Sequence, residues 1–197
     1  VETQDSVAIH SENRPEWFIA DVAIQAIGAV SVGLYPTNPP SEVSYLIGHS
    51  ESKILFAEDQ EQVDKALEVI EELPELKKII YFEPRGLTNY DSPLLITWEE
   101  FLQIGKEEFE KNPNLVTDKL ELIEPEDVAI MVYTSGTTGP PKGSMITHAN
   151  LEWIGTNIAN FNIMKNVNSD QQEFVSFLPL CHIFGRLIDL VVGSHLL

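Results

Sequence analysis

Ten consecutive residues, 134–143, combine the side chains and the backbone freedom that bind a phosphate group. They directly follow the apolar stretch at residues 128–133. Glycines let backbone N–H groups approach an anion closely, hydroxyls add neutral donors, and a lysine adds a point charge on a flexible stem. We therefore predict a polyphosphate-binding loop at the end of a strand. Its candidate binding residues are Thr134, Ser135, Gly136, Thr137, Thr138, Gly139 and Lys142.

The order of residues in this loop excludes two common nucleotide-binding motifs. A Walker A loop requires a glycine immediately before its lysine, whereas Pro141 stands there. The loop also lacks the G-x-G-x-x-G spacing of the dinucleotide-binding fold, which disfavours that fold. The alternative without function is a plain hairpin loop, because Ser, Thr and Gly clusters are ordinary turn material. The particular order of these residues favours phosphate binding over that alternative.

Segments with strand and helix character alternate along the chain and must position this loop. Short apolar runs predict strands, and apolar residues at helical spacing predict helices between them. The predicted strands cover residues 7–9, 29–32, 53–57, 78–82, 128–133 and 173–178, and the predicted helices cover residues 13 to about 27, 41–49, 60–73 and 97–111. Residues 83–93 are predicted as a loop and residues 112–126 as mostly connecting chain. This alternation is typical of an α/β fold with a largely parallel sheet flanked by helices.

Three predicted helices begin with residues of the capping type. Asn13 with Glu16, and Thr97 with Glu100, have the spacing of a capping box. Ser41 stands at the start of the second helix. Because their side-chain oxygens can accept from free backbone N–H groups, we expect Asn13, Ser41 and Thr97 to cap these helices.

Composition limits the class of protein. Of the 197 residues, 43% are hydrophobic, which fills the core of one domain of generous size or of two small, closely packed ones. The formal net charge of −19 argues strongly against a nucleic-acid partner. One cysteine excludes a disulfide framework and fits a reducing compartment, so we expect a cytoplasmic protein. Residues 1–127 carry 27 acidic and 9 basic side chains, whereas residues 128–197 carry 4 and 3. We therefore divide one domain into an acidic α/β segment, 1–127, and a phosphate-loop-bearing α/β segment, 128–197, which repels an anion least.

The two ends of the sequence are unusual. No uncharged apolar stretch is long enough to span a membrane, and the polar start has no signal-peptide character. The sequence lacks an initiator Met and stops in an apolar run at residues 190–197. Because bare apolar surface promotes association, we expect a truncated fragment of a larger protein.

Residues 133–143 closely resemble the AMP-binding signature of the adenylate-forming superfamily, which includes acyl-CoA synthetases, luciferases and the adenylation domains of peptide synthetases. Residues 178–184, Leu-Pro-Leu-Cys-His-Ile-Phe, look like the Leu-Pro-Leu-x-His motif of the fatty acyl-CoA synthetases. Residues 13–17 and 33–37 look like early segments of the long-chain branch. The resemblance covers nearly all of this sequence but only a minority of the family's catalytic chain.

The resemblance implies the amino-terminal portion of the large domain of a long-chain fatty acid–CoA ligase. In that family the carboxylate attacks the α-phosphate of ATP to give acyl-AMP and pyrophosphate, and the CoA thiol then displaces AMP. The implied partners are a fatty acid, ATP with Mg²⁺, and CoA, and the complete enzyme can associate peripherally with a membrane. His182 is implied to be a catalytic residue that lines the acyl and adenylate pocket. The alternative, without a role in binding or catalysis, is a loop histidine that is hydrogen-bonded to nearby backbone.

Two other functions stay open beside this one. The first is a non-catalytic nucleotide-binding or phosphate-binding fragment. It is favoured because the residues that the family uses to bind ribose and Mg²⁺, and its carboxy-terminal lysine, come later in the family's chain. The second function is that of a related ligase with an aryl or amino acid substrate. Ser144 and Gly185 depart from the family pattern, and neither touches the phosphate chemistry. We expect the 197-residue chain alone to be inactive and assign no metal ligand in it.

The remaining conspicuous side chains are expected to be structural. Cys181 lacks a paired base and is predicted to be a small buried hydrophobe. His148, at a helix start, is expected to lie at the surface or to support other residues. Core packing is predicted for Trp17, Trp98 and Trp153.

Overall fold

The computed structural model describes residues 1–134, 139–160 and 176–192. Its strands are β1 (Ser6–His10), β2 (Val30–Leu34), β3 (Ile54–Ala57), β4 (Lys78–Tyr81), β5 (Leu95–Thr97), β6 (Val128–Thr134) and β7 (Lys142–Thr147). Its helices are α1 (Pro15–Ala26), α2 (Pro40–His49), α3 (Gln60–Glu68), α4 (Trp98–Lys111), α5 (Leu115–Leu120), α6 (His148–Asn160) and α7 (Ile183–Arg186). A 3₁₀ turn, Ile70–Glu72, follows α3, and a π-helical stretch, Leu187–Val192, continues from α7. Within the described ranges, no helix has the length and apolar character needed to cross a membrane.

The strands form one sheet in the order β5-β4-β3-β1-β2-β6-β7. Neighbouring strands run parallel from β5 through β6. The edge strand β7 is antiparallel to β6, because the few residues between these strands suffice for a hairpin but not for a parallel crossover. The predicted α/β fold with a largely parallel sheet flanked by helices is confirmed.

Helices cover both faces of this sheet, and alternate side chains of each central strand pack on opposite faces. In β1, Val7 and Ile9 pack with apolar residues of α1 and α4. The residue between them, Ala8, packs with apolar residues of α2 and α3. Both faces of the central strands are therefore buried, as is typical of parallel sheets, and their carboxyl ends lie along one edge.

The three tryptophans do not share one environment. Trp17 and Trp98 are buried, as predicted. Trp153, by contrast, is 67% exposed, so the prediction that it packs in the core is wrong. The reason is its place on α6, where Leu151 packs against β6. A side chain two positions later points to the opposite side of the helix.

Several elements differ from those predicted. The strands β5 and β7 and the helix α5 were not predicted, because their residues show neither strict alternation nor a long helical stripe. The predicted strand at 173–178 is wrong where it can be compared: residues 176–178 are not in a strand. Residues 173–175 lie outside the described ranges.

The predicted helix caps have mixed outcomes. At α4, Thr97 accepts from the backbone N–H of Glu100 at 3.1 Å, and its own N–H donates to the Glu100 carboxylate at 2.9 Å, so this capping box is confirmed. The cap predicted at Ser41 is wrong, because α2 begins at Pro40 without a side-chain cap. The cap predicted at Asn13 is also wrong, since the residue before α1 is Arg14 and the Asn13 side chain bonds elsewhere.

Candidate functional site

The predicted phosphate loop connects β6 to the edge strand β7. Thr134 is the last residue of β6, Lys142 is the first of β7, and the two are paired across the antiparallel ladder. Both residues are exposed. Gly139 has a φ of +93°, a conformation that favours glycine over any other residue. Ser135, Gly136, Thr137 and Thr138 lie outside the described residues.

The strand β6 brings the loop to the carboxyl edge of the sheet. Its parallel neighbour is β2, with Ser31 opposite Ile130 and Val32 opposite Met131. Parallel neighbours end at the same edge, which in open α/β sheets is where ligands bind. Thr134 therefore lies at the edge at which β1, β2 and β3 also end.

Two aromatic side chains of the described structure hold the ends of the loop to α2. The Tyr45 hydroxyl donates to the carbonyl oxygen of Pro141 at 2.9 Å, just before Lys142. The Tyr133 hydroxyl lies 2.7 Å from Nδ1 of His49, just before Thr134. The His49 ring also stacks at a tilt on Tyr45, with centroids 5.4 Å apart. These contacts position both ends of the loop relative to the sheet.

Burial raises the pKa of Tyr133 to about 12, so its hydroxyl stays protonated at neutral pH and remains able to donate to His49. The ring lies against the start of β7: a Cβ atom at Gly143 would lie 2.9 Å from the Met131 sulfur and 3.4 Å from the Tyr133 ring. A side chain at position 143 would therefore force the Met131 thioether to move. The aromatic anchor and the glycine together fix where Lys142 begins.

His182 lies in the second segment singled out from the sequence. It precedes α7 with extended backbone angles, and its Nδ1 accepts from the backbone N–H of Phe184 at 3.2 Å. This is the bond to nearby backbone expected from the alternative in which His182 is an ordinary loop histidine. Because Nδ1 accepts, the neutral ring carries its proton on Nε2. The side chain is exposed, so Nε2–H can donate to a ligand oxygen.

The residues before His182 lie over the carboxyl end of β2. A Cβ atom at Gly33 would lie only 2.8 Å from the Cα atom of Cys181. Cys181 is 3% exposed, and burial raises the pKa of its thiol to about 12. The prediction that Cys181 is a buried hydrophobe is therefore confirmed. The His182 segment, residues 178–184, thus lies over the end of β2, and β2 is the neighbour of β6, the strand that leads into the predicted phosphate loop.

Metal binding has no support from these residues. Among the described ranges, no group of three or more His, Cys, Asp or Glu side chains is placed to hold a metal ion. His148, half-buried at the start of α6, has no hydrogen-bond partner for Nε2 among the described residues, and burial lowers its pKa.

Sequence reasoning missed two groups of residues near this site. Tyr45 and His49 lie 96 and 84 residues from their partners, and no local pattern links them to the loop. Asp21 and Arg186 form a buried ion pair beside the His182 segment. In the sequence, Asp21 stands out only as a charged residue between apolar neighbours in α1, and Arg186 only as the basic residue that ends α7.

Comparison with known proteins agrees with this arrangement. The sequence model of the family described as AMP-binding enzyme matches residues 1–195. A long-chain-fatty-acid–CoA ligase ACSBG2 of Xenopus laevis is 36% identical over 191 residues, which are 96% of this chain and 25% of the relative. The corresponding ACSBG1 ligase of Rattus norvegicus is 31% identical over 98% of this chain and 26% of its own. The chain therefore spans about a quarter of the length of the curated relatives it matches.

Solved structures support the same fold. A Rhodopseudomonas palustris protein described as a long-chain-fatty-acid CoA ligase superposes with a TM-score of 0.69 and 18% identity, over 99% of this chain and 44% of its own. An anthranilate CoA ligase in complex with anthranoyl-AMP superposes with a TM-score of 0.60 and 20% identity, over 81% of this chain and 28% of its own. The match over nearly the whole chain, together with the sheet and its loop, shows that the chain belongs to the AMP-binding enzyme family.

Proposed function

We propose that this chain is the phosphate-holding part of a long-chain fatty acid–CoA ligase with the full length of its curated relatives. In the proposed reaction a fatty acid carboxylate attacks the α-phosphate of ATP, giving acyl-AMP and pyrophosphate. CoA then displaces AMP through its thiol, giving acyl-CoA. The observation that carries the proposal is the loop between Thr134 and Lys142, which a buried sheet presents at its carboxyl edge.

The chemistry proposed for the loop is electrostatic. As the carboxylate attacks, negative charge moves onto the departing pyrophosphate, and preorganised donors with a fixed cation stabilise that charge. Lys142 supplies the cation at the first residue of β7. Residues 134–139 would supply hydroxyl groups and backbone N–H groups. The anchors from α2 to Pro141 and Tyr133 reduce the reorganisation that this step requires.

His182 is proposed to donate a hydrogen bond from Nε2–H to an oxygen of the carboxylate or of the adenylate. The tautomer set by the Phe184 N–H supports donation rather than proton removal by Nε2. CoA enters the proposal through family membership alone. Mg²⁺, when bound to ATP, supplies further positive charge to the phosphates, and we assign it no ligand in this chain.

We also propose that residues 1–127 and 128–197 are segments of one domain. The pairing of β2 with β6 supports a single domain, because it joins the two segments within one sheet. The acidic first segment then supplies most of the sheet and its covering helices. The second segment supplies the loop and the His182 segment.

The test is ATP–pyrophosphate exchange by a complete ligase that carries this chain. Radiolabelled pyrophosphate should enter ATP only when a fatty acid is present, and long-chain acids should support faster exchange than aryl acids or amino acids. Lys142→Ala should slow exchange with every acid. Lys111→Ala is the matched control, because it removes a surface lysine at the end of α4. No exchange with any fatty acid, or a preference for aryl or amino acids, would refute the proposed function.

A further inference from the structure

Arg186, at the end of α7, is 1% exposed and makes polar contacts with three separate parts of the chain. Its Nη2 lies 3.7 Å from Oδ1 of Asp21 in α1. Its Nε donates to the carbonyl oxygen of Leu180 at 2.9 Å, and Nη2 donates to Oγ of Ser31 in β2 at 3.4 Å. The guanidinium also lies 4.8 Å from the centre of the Trp17 ring. This side chain therefore joins α1, β2 and the His182 segment.

The pair between Arg186 and Asp21 is costly to bury. Asp21 is fully buried, and its other carboxylate oxygen accepts from Gln25 at 3.0 Å. Burial raises the pKa of Asp21 and lowers that of Arg186, while the attraction between the two opposes both changes. Well-packed apolar residues of similar volume usually stabilise a fold as well as a buried ion pair does. A role in orientation explains these charges better than a role in stability.

Asn13 holds the same segment from the other side. Its Nδ2 donates to the carbonyl oxygen of Leu178 at 2.8 Å. Its Oδ1 accepts from the backbone N–H of Leu180 at 2.8 Å. Both bonds bracket Pro179, so the Asn13 amide fixes the backbone two residues before His182.

Close packing leaves little room for this segment to shift. A Cβ atom at Gly33 would lie 2.8 Å from both Cys181 Cα and Arg186 Nη2. A Cβ atom at Gly185 would overlap the carbonyl oxygen of Pro179. Both positions therefore require glycine, and the segment is confined between β2 and α7.

We propose that Asn13, Asp21 and Arg186 are positioning residues that hold His182 for the adenylation step. The proposal rests on the proposed function, since it assigns these residues to that reaction. None of the three needs to touch the substrate. They fix the backbone on both sides of His182, and with it the place of the Nε2–H donor at the carboxyl edge of β2. A misplacement of about 1 Å can cost about 10²-fold in rate.

The decisive experiment is a double-mutant cycle on the kcat/KM of fatty acid adenylation in the complete ligase. The variant to be tested combines Asp21→Leu with Arg186→Met. This apolar-pair variant replaces the ion pair by apolar groups and is expected to retain the fold. It should lower kcat/KM by about 10²-fold. In a His182→Ala background the same two changes should lower it by less than about threefold, since no donor is left to position.

Asn13→Ala tests the hydrogen bonds to Leu178 and Leu180 in the same way. It takes the place of the apolar-pair variant if that variant does not fold. Arg14→Gln is the matched control, because Arg14 is the adjacent residue and its guanidinium pairs with Glu16 instead. It should leave kcat/KM within about twofold of wild type. Equal losses in the wild-type and His182→Ala backgrounds would overturn the proposal, because they indicate general structural damage.

Amide hydrogen exchange separates a failure of this inference from a failure of the proposed function. Residues 178–186 should lose protection against hydrogen exchange in Asn13→Ala and in the apolar-pair variant but not in Arg14→Gln. Unchanged protection would overturn the positioning role even in an active ligase. A wild-type ligase without fatty acid adenylation would refute the proposed function and the role of these residues in it, whereas altered protection would still show that they hold the segment.

Discussion

His10, the last residue of β1, is the buried group whose protonation should dominate the acid sensitivity of the fold. It is 0% exposed, and neither ring nitrogen has a hydrogen-bond partner among the described residues. Burial, together with the nearby Lys65 ammonium, lowers its pKa from 6.5 to about 4, although the neighbouring backbone of Tyr35 and Pro36, and more weakly the Glu61 carboxylate, act in the opposite direction. His10 is therefore neutral in the folded protein at neutral pH.

The sign of the effect follows from proton uptake. Below about pH 6.5 the unfolded chain binds a proton at His10 that the folded chain does not bind until about pH 4. The contribution of neutral His10 to stability is therefore complete above pH 6.5 and falls as the pH drops towards 4. A pKa lowered from 6.5 to about 4 corresponds to a loss of about 3 kcal/mol in the free energy of unfolding.

The perturbation that tests this is His10→Leu, which removes the titrating group and two unpartnered polar atoms from a buried site. The variant should be at least as stable as wild type at neutral pH. Between about pH 7.5 and pH 4.5 it should lose about 2.5 kcal/mol less than wild type, because all other titrating groups are shared. Urea denaturation, followed by the fluorescence of the buried Trp17, measures both proteins. Parallel pH profiles for the two would refute the reasoning.

Three further substitutions test the site and the fold. Lys142→Ala should weaken ATP-dependent adenylation by about 1.5–3 kcal/mol, seen as roughly a 10- to 150-fold lower kcat/KM, with the melting temperature unchanged; unaltered kinetics would contradict this. Tyr45→Phe removes the donor to Pro141, so the Kd for ATP should rise by roughly 2- to 12-fold in calorimetry; an equal Kd would mean that this anchor does not position the loop. Thr97→Ala should cost about 1 kcal/mol of unfolding free energy in urea, because it removes the capping box with Glu100, and no loss would contradict the cap.

Local patterns were sufficient for the parts of this protein that depend on neighbours in sequence. The alternation of apolar strands and amphipathic helices predicts the α/β fold, because burial on a parallel sheet imposes these periods. The capping box at Thr97 needs only residues three positions apart, so it too is visible in the sequence. The loop at 134–143 is recognisable for the same reason, since its composition and its place after a strand are local properties.

The tertiary structure alone decided which distant residues share a site. Asn13 has the spacing of a helix cap, yet its amide bonds the backbone of Leu178, 165 residues away. The ion pair of Asp21 with Arg186 and the hydrogen bond of Tyr45 to Pro141 also depend on the order of the strands in the sheet. Spacing along a chain does not encode that order, because strand pairing brings together segments from any separation. The sequence by itself was therefore sufficient to predict a phosphate-binding loop at residues 134–143, and only the fold determined what holds the ends of that loop and the His182 segment in place.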